Sequence, residues 1–139
     1  MRRLLILAAL LLPLSARAQQ PGGGLPAAAE QARAAWFAHD AAALVAGSPR
    51  LLLQLPGADP SAALEPRQAA ALLQDFLAPA QEVATVVGAA RETEPGRGYV
   101  ELQRRYRIAG TQEVRIDSVL LGYRRSRSGW SLVELRVIR

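Results

Sequence analysis

Five side chains of this sequence have the types needed for chemistry in a shared pocket: Trp36, His39, Arg104, Tyr106 and Asp117. His39 is the single histidine, and as a general base it needs a reacting group in reach and an orienting carboxylate. Asp40 is adjacent but leaves a helix in another direction. Trp36 stands one helical turn before His39, which favours a partly buried structural imidazole. Arg104 interrupts the apolar face of the run "YVELQRRYRIAG", whose alternation puts Val100, Leu102, Tyr106 and Ile108 on the same side. A guanidinium on that side must meet a carboxylate or reach the rim of a pocket, where it can hold an anionic ligand. Asp117 alternates with Arg115, Val119 and Leu121. It is a base if its surroundings tune it, with Tyr106 or Tyr123 as hydroxyl donors, or more simply one half of a cross-strand ion pair with Arg105 or Arg107.

Other chemistries find little support. The chain contains no cysteine and one histidine, which leaves no thiolate site and no zinc site, and no dense acidic cluster suggests a carboxylate-bound metal. No cofactor is expected. "RGYVEL" has the look of an RNA-stacking strand, but Glu101 and Gln103 follow Tyr99 on its face where further aromatics are needed, so no nucleic-acid partner is expected. Arg124, Arg125 and Arg127 crowd one turn. Turn charges are ordinarily solvated, and a contact with an anionic envelope polymer is the sharper alternative.

These residues must be positioned by a short chain. "MRRLLILAALLLPLSARA", residues 1–18, has the layout of a secretory signal: Arg2 and Arg3, an apolar run from Leu4 to Leu14, and Ala16-Arg17-Ala18 as a small-x-small site. The run is too short for a membrane span of about twenty residues, so an exported product, periplasmic or secreted and without a stable anchor, is expected. Without the three arginines of that segment the net charge of +5 falls to +2. The charge that remains is uneven, with four Arg against eight acids over 19–96 and ten Arg against four acids over 97–139. "QQPGGGLP", residues 19–26, is a flexible leader, and 27–139 suits one domain with one core.

From Ala27 the apolar steps are helical, with Ala29, Ala32, Trp36 and His39 on one face, and Asp40 caps a second short helix that stops at Gly47. "RLLLQLPG" predicts a strand of about six residues. "EPRQAAALLQDFLAP" predicts the clearest helix, with Pro66 in its first turn and a stripe of Ala69, Leu72, Leu73, Phe76 and Ala80. Thereafter the period is two. Four strands are separated by Pro95-Gly96, Gly110-Thr111 and Ser126–Gly129, breaks short enough for antiparallel hairpins. The order ααβαββββ makes an α+β layer with helices on one face of a curved sheet, and Val119, Leu121 and Val133 form an exposed apolar patch if the helices leave their face open.

This order, with "LLLQLPG", "QAAALLQDFL", "GYVELQRRYRIAGTQE" and "GWSLVELRVI", resembles the NTF2-like superfamily, also called cystatin-like or SnoaL-like, and most closely an uncharacterised family of exported bacterial proteins. The resemblance implies a cone formed by a bent sheet around a long helix, and pairing of sheets in a homodimer. It carries over no established catalytic residues, and the leading expectation is an exported non-catalytic domain that binds a small ligand in the cone or a protein partner over the sheet. The rival it implies is an enzyme of the ketosteroid isomerase or SnoaL type, with Asp117 or His39 as base and Tyr106 as donor.

Overall fold

The computed structural model describes residues 23–139; the expected signal segment, 1–18, and the first half of the expected leader, 19–22, lie outside the described residues. Helix α1 (Leu25–Phe37) starts two residues earlier than its periodicity indicates, with Pro26 in the first turn, where a missing N–H costs nothing. Leu25, Ala29, Ala32 and Trp36 are its buried line. Helix α2 (Ala41–Val45) is capped as expected: the Asp40 carboxylate accepts from the Ala43 N–H at 3.0 Å.

Strand β1 is only Leu52–Gln54. It is shorter than the apolar run suggests because the following loop turns back along its free edge. Leu53 N–H donates to Ser61 Oγ at 2.9 Å, and Ser61 N–H donates to the Leu53 carbonyl at 2.8 Å. Helix α3 (Pro66–Leu77) is fixed at its start by Glu65 N–H donating to the Gln68 side chain at 3.2 Å. Its buried line is Ala69, Leu73 and Leu77, successive steps of four. Leu72 lies on the flank of that line and is exposed, and Ala80 opens the next strand instead of extending the stripe.

Strands β2 (Ala80–Glu94), β3 (Arg97–Ile108), β4 (Val114–Ser126) and β5 (Gly129–Ile138) form an antiparallel meander. Strand β1 adds to the far side, parallel to β5, giving a five-stranded mixed sheet of order β1-β5-β4-β3-β2. Three register shifts along β2 and one between β4 and β5 bend the sheet. Its inner face carries Val100, Leu102, Val119, Leu121, Leu132, Leu135 and Val137 into one core with the three helices. Val119 and Leu121 are therefore core and not an open patch. Among the described residues no helix is long and apolar enough to cross a membrane.

Tyr123 continues the inner face of β4, and burial pushes its hydroxyl up to about 12. The phenol ionises more easily in the unfolded chain, near 10. The folded state therefore holds its proton more tightly, and the associated stability is full below about pH 10 and lost as pH rises toward about 12. At about 1.4 kcal/mol per unit this is roughly 3 kcal/mol. Urea midpoints across that window are expected to fall for the native chain and to fall less steeply for Tyr123→Phe.

Candidate functional site

The site begins at the end of α1. Trp36 sits in the last turn, fully buried. His39 is past the helix, not on its face, with φ of 54°, the left-handed region usually given to glycine. Its N–H donates to the Trp36 carbonyl at 3.0 Å, and Asp40 N–H donates to the Ala35 carbonyl at 2.9 Å. This pair of reversed bonds ends the helix and swings the imidazole toward the sheet.

There it meets Glu82, with Nε2 3.1 Å from Oε1. Sequence reasoning missed this residue. Simple alternation along β2 puts Glu82 and Thr85 on opposite faces, but the register slips between Glu82 and Ala84, so Glu82 pairs with Tyr106 and Thr85 with Arg104. Val83 is the extra residue, and both Glu82 and Thr85 point inward. A break in period-two polarity around "QEVATV" is the only signal, and it is weak.

Arg104 is the centre. Its Nε donates to Glu82 Oε2 at 3.3 Å and its Nη2 to Glu82 Oε1, while Nη1 stands 3.8 Å from Asp117 Oδ2. Asp117 is the cross-strand neighbour of Arg104 on β4. The expected pairing of Asp117 with Arg105 or Arg107 is not formed, because those residues lie on the opposite face of β3. Arg139 approaches Asp117 from outside at 3.9 Å. The Arg104 guanidinium also lies 3.9 Å from the Tyr106 ring centre, 5.2 Å from Trp36 and 5.6 Å from Phe76. It fills an aromatic box with carboxylates on two sides, a favourable arrangement for a desolvated cation.

All five residues singled out from sequence thus converge, joined by Glu82 and Phe76. Trp36, Arg104, Tyr106 and Asp117 are 0–2% exposed. A void able to admit water would show as accessible surface on its walls, so the packing leaves no water-sized space against them. His39 and the Phe76 ring are the partly exposed members of the cluster, with Arg139 at the edge. Trp36 Nε1, Tyr106 Oη, Thr85 Oγ1 and Asp117 Oδ2 are buried without hydrogen-bond partners. Burial raises the Tyr106 pKa, and the nearby Asp117 carboxylate raises it further although the two do not meet hydrogen-bond geometry.

The two carboxylates of the cluster are engaged in the interior, while the His39 imidazole is partly exposed. Glu82 is held by Arg104 and His39, and Asp117 faces Arg104 in the interior. Among the described residues no three histidine or acidic side chains gather in a metal-holding group. Among the described residues, open hollows lie away from this cluster, including one of about 410 Å3 beside Leu55–Ala58 and Arg136–Arg139, one of about 260 Å3 beside Leu52, Pro60 and Glu134, and one of about 200 Å3 between Arg97, Tyr99 and Arg124. Of the arginines at the β4–β5 turn, Arg125 pairs with Glu92 at 3.3 Å and stacks on Trp130.

No protein-family model matches the chain, and no curated protein matches it. Solved structures do. A ketosteroid isomerase-like protein from Erwinia carotovora atroseptica superposes with a TM-score of 0.65 at 18% identity, covering 81% of this chain and 91% of that one. A DUF4783 family protein from Bacteroides ovatus gives 0.63 at 12%, covering 77% and 90%. A hypothetical protein of ketosteroid isomerase-like fold from Catenulispora acidiphila, in complex with trimethylamine, gives 0.64 at 12%, covering 82% and 85%. At these identities the likeness is one of fold, and together with the bent five-stranded sheet and its three helices it shows that the chain has an NTF2-like, ketosteroid isomerase-like fold.

Proposed function

We propose that the chain is an exported, non-catalytic binding domain that works as a homodimer joined through the outer face of its sheet. Export rests on the arginine pair, apolar run and small-x-small site of residues 1–18. The observation that carries the rest is the packed cone: its charged residues Glu82 and Asp117 are drawn to Arg104, which fills the interior. The outer face, in contrast, is left with large apolar side chains. Val86 on β2, Ile116 on β4 and Ile138 on β5 are 52, 62 and 46% exposed, and the register puts them on neighbouring rows with Gln103, Arg105 and Ser118 between. Exposed apolar side chains interspersed with polar ones across an open sheet face suit a protein contact of mixed character, and a self-complementary face gives a two-fold dimer. Light scattering on the full chain is expected to give twice the mass of one copy, falling to one copy for Ile116→Glu with the far-UV spectrum unchanged. A single copy at every concentration, whatever residue stands at 116, contradicts the reading.

One observation favours a second reading, a ligand in the cone. Trp36 Nε1, Tyr106 Oη and Asp117 Oδ2 offer unmatched polar atoms in one place, and His39 with Glu82 stands at the exposed side. The box of aromatics and carboxylates suits an organic cation, the class to which the trimethylamine in the Catenulispora complex belongs. Arg104 occupies that place here, so such a ligand requires the guanidinium to move. Trp36 fluorescence titrated with trimethylamine tests it: a saturable change supports the second reading and no change supports the first.

A further inference from the structure

The turn end of the outer face carries a feature that dimer formation does not account for. Arg97 on β3 and Arg124 on β4 are directly opposite in register. Like charges in that position repel, and little nearby relieves them. Glu94 approaches Arg97 only to 3.9 Å with both side chains largely exposed, a weak interaction in water, and Arg124 has no ion pair among the described residues. In the next row Tyr99 faces Gly122. The missing side chain at Gly122 leaves a hollow of about 200 Å3, lined by Arg97, Arg124, Tyr99, Thr93, Val133 and Glu134 among others. A Cβ on Gly122 would stand 3.2 Å from the Glu134 Cβ, a tight approach, and would narrow the floor of the hollow. Arg91, opposite Tyr99 on β2, has its guanidinium 5.9 Å from the Tyr99 ring centre and adds positive potential beside the hollow.

We infer that this hollow is a binding site for a tetrahedral oxyanion, a phosphate or sulfate group, held between the Arg97 and Arg124 guanidinium groups. A doubly charged group placed between them converts the repulsion into two charge-assisted contacts, and guanidinium forks match the geometry of such oxygens. Tyr99 offers an apolar wall to whatever carries the anion. Glu134 opposes binding, which gives the site an internal control. Of the turn arginines Arg124, Arg125 and Arg127, only Arg124 lines this hollow, where its partner is Arg97; Arg125 is paired with Glu92 and stacked on Trp130.

The experiment is an amide-shift titration of the full chain with inorganic phosphate and, separately, phenyl phosphate, against sodium chloride at matched ionic strength. Saturable shifts centred on Arg97, Gly122 and Arg124 are expected, weakened about tenfold or more by Arg124→Gln and strengthened several-fold by Glu134→Gln. Tighter binding of phenyl phosphate assigns an ester carried on a larger molecule, and equal binding assigns the free anion; either supports the site. Shifts that never saturate, that spread equally over Arg105 and Arg115, or that ignore Arg124→Gln overturn it. Repeating the titration on Ile116→Glu separates its outcome from that of the dimer.

Discussion

Arg104→Ala is expected to lower stability by about 3–5 kcal/mol, the cost of leaving a buried ion-pair network without its central cation. Glu82 and Asp117 both face Arg104 at the interior of the sheet, and without it two carboxylates share a closed space with only His39 and the peripheral Arg139 to compensate. The loss should show in urea denaturation as a shift of midpoint with little change in slope. Two further measurements separate charge from packing. Arg104→Met with Glu82→Gln and Asp117→Asn removes all three charges at nearly constant volume, and is expected to recover most of the loss, since neutral replacements of similar volume avoid the uncompensated buried charge. Guanidinium ion, at concentrations well below denaturing ones and compared with equal sodium, is expected to stabilise Arg104→Ala and not the native chain, because the box of Trp36, Phe76 and Tyr106 is left with the shape and charge of the group removed. An Arg104→Ala chain as stable as the native one would mean that the network is not formed.

Trp36→Ala is the second large effect. Trp36 is fully buried, packs its ring 6.5 Å from that of Phe76 and forms one wall of the Arg104 box. Truncating a buried aromatic costs about 3–5 kcal/mol through lost transfer energy and the cavity left behind. Here the cation also loses a face, so the Trp36→Ala and Arg104→Met losses should not add: a double-mutant cycle is expected to show coupling of about 0.5–3 kcal/mol. Trp36→Phe, which keeps a ring against the guanidinium, should cost clearly less. Additive losses, or Phe no better than Ala, would remove the aromatic box from the account.

Much of this was legible in the chain. Alternation along 99–108 placed Arg104 and Tyr106 inward and Arg105 outward, and the hairpin breaks fell where the turns are. The fold class followed from the change of period after Pro79. What was hidden were the exceptions to periodicity. Glu82 turns inward because β2 slips by one residue at Val83, and nothing in "QEVATV" fixes where a bulge falls. His39 continues the three- and four-residue steps of α1 in sequence, yet it lies beyond the helix in a left-handed conformation, and only the backbone reveals that its partner is Glu82. The partner of Asp117 depended on register: Arg104 and Arg105 are one residue apart and on opposite faces, and a residue's face follows from pairing across three strands. The parallel addition of β1 to β5 is a long-range choice that no local pattern encodes.

The measurement that bears most directly on the closed cone is hydrogen exchange at the arginine Nε–H groups, resolved by nitrogen-15 NMR with Arg104→Met for assignment. With the guanidinium buried among Glu82, Asp117 and three rings, the Arg104 Nε–H is expected to exchange only through opening events close in free energy to global unfolding. Exchange as fast as that of the outward-facing Arg105 would contradict it, and the cone would have to be regarded as open to solvent and to ligands.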